Sequence, residues 1–312
     1  VKFGDKSKGS PGMRLQTFCE ESYEFHTLVD PIATYCYQPM PEQPTIKIVP
    51  GPAERFLAIG PTIRAVGEPF QIKIKGEDKW GNPTNLCDYE FDARSTCKIE
   101  GLPKKVTLKP GEFTATLSDL RVQTAEDFTV EFTNDVNNIA FETNPIRIEE
   151  KPQSRHFWGD LHGQSEETIG TNSAEAYFKF ARDLAFVDVS GHQGNDFQIT
   201  TDFWKHLDEL CKKFNQDGKF IAIPGYEWSG NTGLGGDRNI YFPTEGRTLR
   251  RSSHALVSDH SDISTDCNSA TELFSAFAEN DESDVVVYAH CGGRYADIEL
   301  AHDGRFEKSM EI

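Results

Sequence analysis

No apolar run in the 312 residues approaches the roughly 20 that a membrane-crossing helix needs, so no membrane span is expected. Basic residues are scarce, with 32 Lys and Arg against 50 Asp and Glu, a formal net charge of −18 and a pI near 4.9. The field of such a chain repels phosphate backbones and anionic lipid, which argues against nucleic acid or a membrane surface as partner. A small anionic substrate must then meet local cations or a metal. The seven cysteines (Cys19, Cys36, Cys87, Cys97, Cys211, Cys267 and Cys291) are odd in number and form no Cys-x-x-Cys pair, so neither a zinc knuckle nor a disulfide framework is indicated. A reducing, cytoplasmic compartment is expected, although Cys87 and Cys97 have a spacing that permits pairing across a hairpin in an oxidising one. There is no Gly-x-Ser-x-Gly elbow and no Lys-Ser/Thr phosphate loop, which disfavours covalent catalysis and nucleotide cradling. Val1 replaces an initiating Met, no signal-peptide pattern follows it, and an apolar run opens at Ser309-Met310-Glu311-Ile312, so both ends are expected to be cut, with a C-terminal remainder elsewhere in the polypeptide.

What is present divides the chain by texture. From about Thr45 to Glu150, short runs such as Phe70-Gln71-Ile72-Lys73-Ile74 and Phe113-Thr114-Ala115-Thr116-Leu117 alternate apolar with polar residues, the period of strands with one buried face. Turn residues at Trp80-Gly81-Asn82-Pro83 and Lys109-Pro110-Gly111 punctuate them, which predicts an immunoglobulin-like β-sandwich domain over residues 1–150. After the linker-like stretch 149–154 the period changes. Ala174, Tyr177, Phe178, Ala181, Leu184 and Ala185 share a helical face, as do Phe203, Leu207, Leu210 and Phe214. Ser173 is placed to cap the first helix, and a third helix is expected over about 269–280. Strand, helix and strand in this rhythm predict parallel β with crossovers in a second domain, residues 155–312.

The chemistry concentrates at the strand ends of that second domain. Apolar runs finish at Asp160-Leu161-His162-Gly163-Gln164, at Ser190-Gly191-His192, at Gly225-Tyr226-Glu227 and at Tyr288-Ala289-His290, the place where α/β barrels put metal ligands and catalytic groups. Eight of the nine histidines, all but His26, follow residue 155. Convergent imidazoles and carboxylates hold a divalent ion whose bound water becomes a nucleophile at neutral pH. His162, Gln164, His192, Glu227 and His290 are therefore the candidate ligands. Asp160 lies two residues before His162 on the same strand face and is a candidate to ligate or to orient an imidazole. The glycine-rich stretch 230–236 leads into Asp237 and Arg238. Arg238 and Arg294 are candidates for gripping an anion, because guanidinium forks match phosphate bidentately, with an ordinary ion pair an equal alternative for each. His254 and His260, in the polar stretch 250–266, read as solvent-facing in preference to the alternative of a loop over the site.

Gly159-Asp160-Leu161-His162-Gly163-Gln164 resembles the first motif, Asp-x-His-x-His, of the polymerase and histidinol phosphatase (PHP) superfamily. Ser190-Gly191-His192, Pro224-Gly225-Tyr226-Glu227 and Tyr288-Ala289-His290 resemble its later motifs. More closely, the segments 157–165, 191–196, 225–229 and 289–294 look like a bacterial PHP-domain group of unassigned function with a β-rich N-terminal region. The resemblance covers about residues 155–312 and implies a distorted TIM-type α/β barrel, incomplete in this chain, preceded by an all-β sandwich. It also implies two or three divalent ions (Zn, Mn or Fe), hydrolysis of phosphate esters, catalytic roles for Asp160, Asp237 and Arg238, and substrate contacts from Asn195, Arg238 and Arg294. Gln164 departs from the motif, which has His there, and a carboxamide is the weaker ligand.

The expectation is thus a metal-dependent phosphoesterase. Two alternatives stand beside it: hydrolysis of another ester or amide bond, since an activated water attacks any polarised electrophile, and a non-catalytic binding module with a degenerate barrel.

Overall fold

The structure is a computed structural model and describes residues 4–291 and 295–312. It separates into two compact units, Val1–His156 and Phe157–Ile312.

In the first unit two antiparallel sheets share one core. One runs in the order Lys105–Leu108, Tyr89–Arg94, Glu131–Asn134 and Ile139–Glu142, and the other in the order Thr114–Leu120, Phe70–Glu77 and Arg55–Ile59. Period-two alternation sets the inner face of the Phe70–Glu77 strand: Phe70, Ile72 and Ile74 are buried while Gln71 is exposed. Facing side chains meet in an aromatic cluster in which Phe56 lies 5.0 Å from Phe91, and Phe91 lies 5.0 Å from Phe141. Edge-to-face geometry of this kind adds about 0.5–1.5 kcal/mol per pair beyond the area buried.

The second unit places two small sheets side by side. A parallel sheet runs Gly159–Gly163, Val189–His192 and Ile221–Ile223, with helices Ala174–Phe180 and Thr201–Phe214 as its crossovers. Ser173 Oγ accepts from Ala176 N and Thr200 Oγ1 from Phe203 N, so each helix starts on a side-chain cap. The amphipathic face of the second helix buries Trp204, Leu207, Leu210, Cys211 and Phe214, which join Phe178, Tyr226, Trp228, Ile240, Phe277 and Val287 in one core. The third helix, Ala270–Glu279, starts on a Ser269 cap.

The other sheet runs Gly225–Trp228, Arg238–Tyr241, Val286–Ala289 and Glu307–Met310. Its first three strands are antiparallel to one another and the fourth is parallel to the third. The expected α/β barrel is therefore not what the chain forms. A barrel of that type needs every strand parallel, and a parallel crossover needs a dozen or more residues. The stretch 229–237 between Trp228 and Arg238 is too short for one, so the chain returns as a hairpin. Strands dominate, the described residues contain three short α-helices, and no sheet closes on itself among them. None of those helices is long and apolar enough to cross a membrane.

Arg238 is fully buried in this sheet. Its Nε donates to Glu307 Oε1 at 3.1 Å, Nη1 donates to Gly236 O at 3.0 Å and Nη2 to Ala301 O at 2.7 Å. Each guanidinium nitrogen thus has a partner within the chain, so Arg238 is a strut between the hairpin and the Glu307–Met310 strand, the ion-pair alternative rather than the anion grip. Removing one member leaves an uncompensated buried charge, whereas removing both leaves no buried charge and only the Gly236 and Ala301 carbonyls without their donor. Arg238→Met is accordingly expected to cost about 3–5 kcal/mol of stability, and the double variant Arg238→Met with Glu307→Leu to recover most of it, both read by chemical denaturation. Equal losses in the single and double variants would remove the strut from the account.

Candidate metal centre

Backbone pairing in the second sheet sets three of the candidate residues side by side. Arg238 pairs with Ala289 in register, so Asp237 and His290 become neighbours at the strand ends, and His290 N donates to Asp237 O at 3.2 Å. Glu227 pairs with Asn239 one strand over. The parallel Glu307–Met310 strand then delivers Glu311, whose N donates to Ala289 O at 2.9 Å. From the other sheet, the Gly159–Gly163 strand brings in His162.

These side chains converge. His162 Nδ1 lies 2.7 Å from Glu311 Oε1 and its Nε2 lies 3.5 Å from Glu227 Oε2. His290 Nε2 lies 3.6 Å from Glu311 Oε2, and the two imidazole rings are 5.0 Å apart. Ligand-type atoms of His162, His290 and Glu311 all fall within 4.8 Å of one another, and so do those of Glu227, Asp237 and His290. An ion roughly 2.0–2.2 Å from each ligand holds tetrahedral neighbours about 3.4 Å apart, close to the 3.5 and 3.6 Å separations found. Hydrogen bonding to Glu227, reinforced by Glu311 against the opposing effect of burial, raises the His162 imidazole to about 9.

A buried atom at the same wall supports the fit. Asn239 donates through Nδ2 to Glu311 Oε2 at 3.3 Å and approaches His162 Nδ1 at 3.5 Å, while its Oδ1 is buried without a hydrogen-bond partner among the described residues. Buried amide oxygens are rarely left so unless something else satisfies them. Two imidazoles and three carboxylates form a mixed N/O donor set suited to Zn, Mn or Fe.

Other expected residues sit elsewhere. His192 is buried and packed against Phe203 and Tyr177. Its Nδ1 accepts from Gly194 N at 3.2 Å, which places the proton on Nε2, facing Ser165 Oγ at 2.8 Å. With both nitrogens engaged it stands outside both ligand groups. Gln164 reaches the edge of the cluster: its amide nitrogen lies 3.5 Å from Glu227 Oε2 and its carbonyl oxygen accepts from Thr168 Oγ1 at 2.9 Å. Asp160 is exposed and accepts from the His162 backbone N at 3.1 Å, so it holds the ligand's main chain. Asn195 bonds Ser229 Oγ at 3.0 Å. Arg294 lies outside the described residues.

His254 is not solvent-facing. Its side chain is 3% exposed and sits between Asp266 (Nδ1 to Oδ2, 2.7 Å) and Asp262 (Nε2 to Oδ1, 3.1 Å), with Arg251 on the second carboxylate at 2.7 Å. This clamp closes the 251–266 loop on itself. Sequence reasoning missed Glu311 and Asn239. Glu311 stands at the tip of a short strand, the same placement that singled out the histidines, but the run before it is too short to register as one.

A family profile described as "Protein of unknown function (DUF3604)" matches residues 135–293, just over half of the chain. This match, not one to the PHP superfamily, is what the second half of the sequence carries, and it overturns the resemblance drawn from residues 155–312. The chain is 25% identical over 249 residues to an uncharacterised protein of Chlamydia pneumoniae, covering 78% of this chain and 39% of that protein. It is 24% identical over 224 residues to one of Chlamydia trachomatis, covering 70% and 36%. The chain thus spans about two fifths of the length of these relatives. Among solved structures, the D0-D1 domain of Intimin is similar at 14% identity and a TM-score of 0.25, covering 31% of this chain and 49% of that one, an overlap too slight to carry an architectural argument.

Burial fixes the acid behaviour of His192, whose folded pKa drops to about 4 from 6.5. Its stabilising contribution is complete above 6.5 and is lost as pH falls towards 4, because the unfolded chain takes up a proton that the folded chain refuses. The loss is on the order of 3 kcal/mol. Asp196, raised by burial to about 6, acts with the opposite sign over an overlapping range. Comparing wild type with His192→Gln at each pH cancels that second contribution. The variant is expected to show the shallower decline between pH 6.5 and 4 in denaturation midpoints, and parallel declines would contradict the assignment.

Proposed function

The chain belongs to the DUF3604 family, and we propose that in it the cluster of His162, Glu227, Asp237, His290 and Glu311 holds divalent metal and hydrolyses a phosphoester. The observation that carries this reading is the pair of overlapping ligand groups that meet at His290. His162, His290 and Glu311 would hold one ion and Glu227, Asp237 and His290 would offer a second, neighbouring position, and ions held there would stabilise the charge that develops on a phosphoryl group. Divalent cations at this position supply Lewis acidity and lower the pKa of a water.

The chain's own residues do the rest. Glu311 accepts from His162 and so orients that ring, Asn239 holds Glu311, and Asp160 fixes the His162 main chain. Hydrolysis forms a P–O bond to water, breaks the P–O bond to the alcohol and returns one proton to that alcohol. Because Arg238 is committed to Glu307, the anionic part of the substrate is left to the cations, which the net charge of −18 makes necessary. A cytoplasmic setting belongs to the same proposal and is supported by seven free cysteines.

Chelation of the full chain followed by Mn²⁺ or Zn²⁺ titration tests this with p-nitrophenyl phosphate. Turnover is expected to vanish with chelator and return with metal. His290→Ala is expected to lower it at least about 100-fold, on the scale of losing a group that acts directly in catalysis, whereas His192→Gln retains metal-dependent turnover. Metal-independent activity, or full activity in His290→Ala, would remove the proposal.

A further inference from the structure

The stretch 229–237 that forces the hairpin also lines a cleft of about 270 Å³, together with segments 252–255 and 268. Its walls are Ser229, Asn231, Ser252, Ser253 and Asn268, with apolar surface from Phe197 and Leu234. The position follows from the chain. Ser229 lies two residues after Glu227, and the loop ends at Asp237, so both ends of this wall are anchored by residues of the metal cluster.

The walls are held in place before any ligand arrives. Asp196 is wholly buried and ties the two sides together: it accepts from the backbone N of Ser229 at 3.0 Å, from Ser252 Oγ at 3.2 Å and from the Ser252 backbone N. Asn195 Nδ2 donates to Ser229 Oγ at 3.0 Å, and Asn268 Nδ2 donates to Ser252 O at 2.8 Å. One buried carboxyl thereby fixes hydroxyl-bearing residues on two separate loops.

Among the described residues the lining contains no charged side chain. It therefore offers nothing to neutralise a carboxylate or an ammonium group. The Ser253 hydroxyl and the Asn231 carboxamide each donate and accept, which matches ligand hydroxyls that do the same, while Phe197 and Leu234 suit the C–H face of a small ring. The volume lies just below the roughly 300 Å³ at which pockets for drug-sized ligands begin, enough for one ring or a short polyol and too little for a nucleotide.

We propose that this cleft receives the uncharged, polyhydroxylated part of the substrate, so that the substrate class is a phosphorylated sugar or polyol. The proposal rests on the phosphoesterase reading above and names the alcohol that reading leaves open. Asn231 and Ser253 are specificity-determining residues that touch the alcohol rather than the reacting phosphorus, while Ser229 Oγ, which donates to Glu227 O at 3.3 Å and accepts from Asn195, holds the wall.

Two measurements on the full chain separate this proposal from the reading it rests on. Kinetics with Mn²⁺ compares p-nitrophenyl phosphate with glucose 6-phosphate, mannose 6-phosphate and glycerol 3-phosphate. Saturation-transfer NMR, which needs no turnover, probes glucose, mannose and sorbitol. At least one hydroxylated ester is expected to show a KM tenfold or more below that of p-nitrophenyl phosphate, and at least one unphosphorylated polyol to show saturation transfer. Asn231→Leu and Ser253→Val should each raise that KM at least tenfold with kcat moving less than twofold, and should abolish the transfer. Saturation transfer that both variants remove, in a chain that turns over no phosphoester, supports the cleft assignment and sinks the phosphoesterase reading. Turnover of p-nitrophenyl phosphate with no preference for hydroxylated esters and no saturation transfer overturns the cleft assignment alone.

Discussion

The imidazole of His162, held between Glu227 and Glu311, is the contact on which the second unit's site depends. It belongs to the parallel sheet, and its partners belong to the mixed sheet. Three carboxylates brought to one place repel one another unless a positive charge lies among them. A proton on His162 provides part of that charge, and hydrogen bonding to Glu227 and Glu311 raises this group to about 9. A divalent ion meets the same need with more charge, in competition with that proton.

Around this contact the fold divides labour between groups of the same chemical type. Arg238 and Glu307 bury a charge pair to join two strands, whereas Glu227 and Asp237, on the flanks of the same hairpin, point their carboxylates toward imidazoles. His192 and His290 both end apolar strands, yet one has both nitrogens committed inside a packed wall and the other faces carboxylates. The difference comes from register and neighbouring side chains rather than from residue type.

Much of the local structure was legible in the sequence. Period-two alternation marked the first unit's strands, and the helices at Ala174, Thr201 and Ala270 followed their apolar stripes and caps. His162, Glu227, Asp237 and His290 converge as strand-end residues. The global topology was not legible, because strand-end motifs look alike in a barrel and in two adjacent sheets. What separates those is the length of the connection after Trp228, and its glycines suggested a ligand loop rather than a tight return. The role of Arg238 stayed open between an anion grip and an ion pair, because an arginine beside a glycine-rich loop has the same sequence signature whether it grips an anion or braces a strand, and the structure shows the ion pair. Glu311 escaped because its partner strand pairs far away in sequence, with Val286–Ala289.

Anomalous X-ray scattering from crystals of the full chain grown with Mn²⁺ or Zn²⁺ tests the central claim most directly. The account predicts one or two peaks among His162, Glu227, Asp237, His290 and Glu311, about 2.0–2.2 Å from the ligating atoms, with no peak at His192. Crystals that hold the ion elsewhere, or that keep His162 bonded to Glu311 with no peak in the cluster at saturating metal, would contradict it.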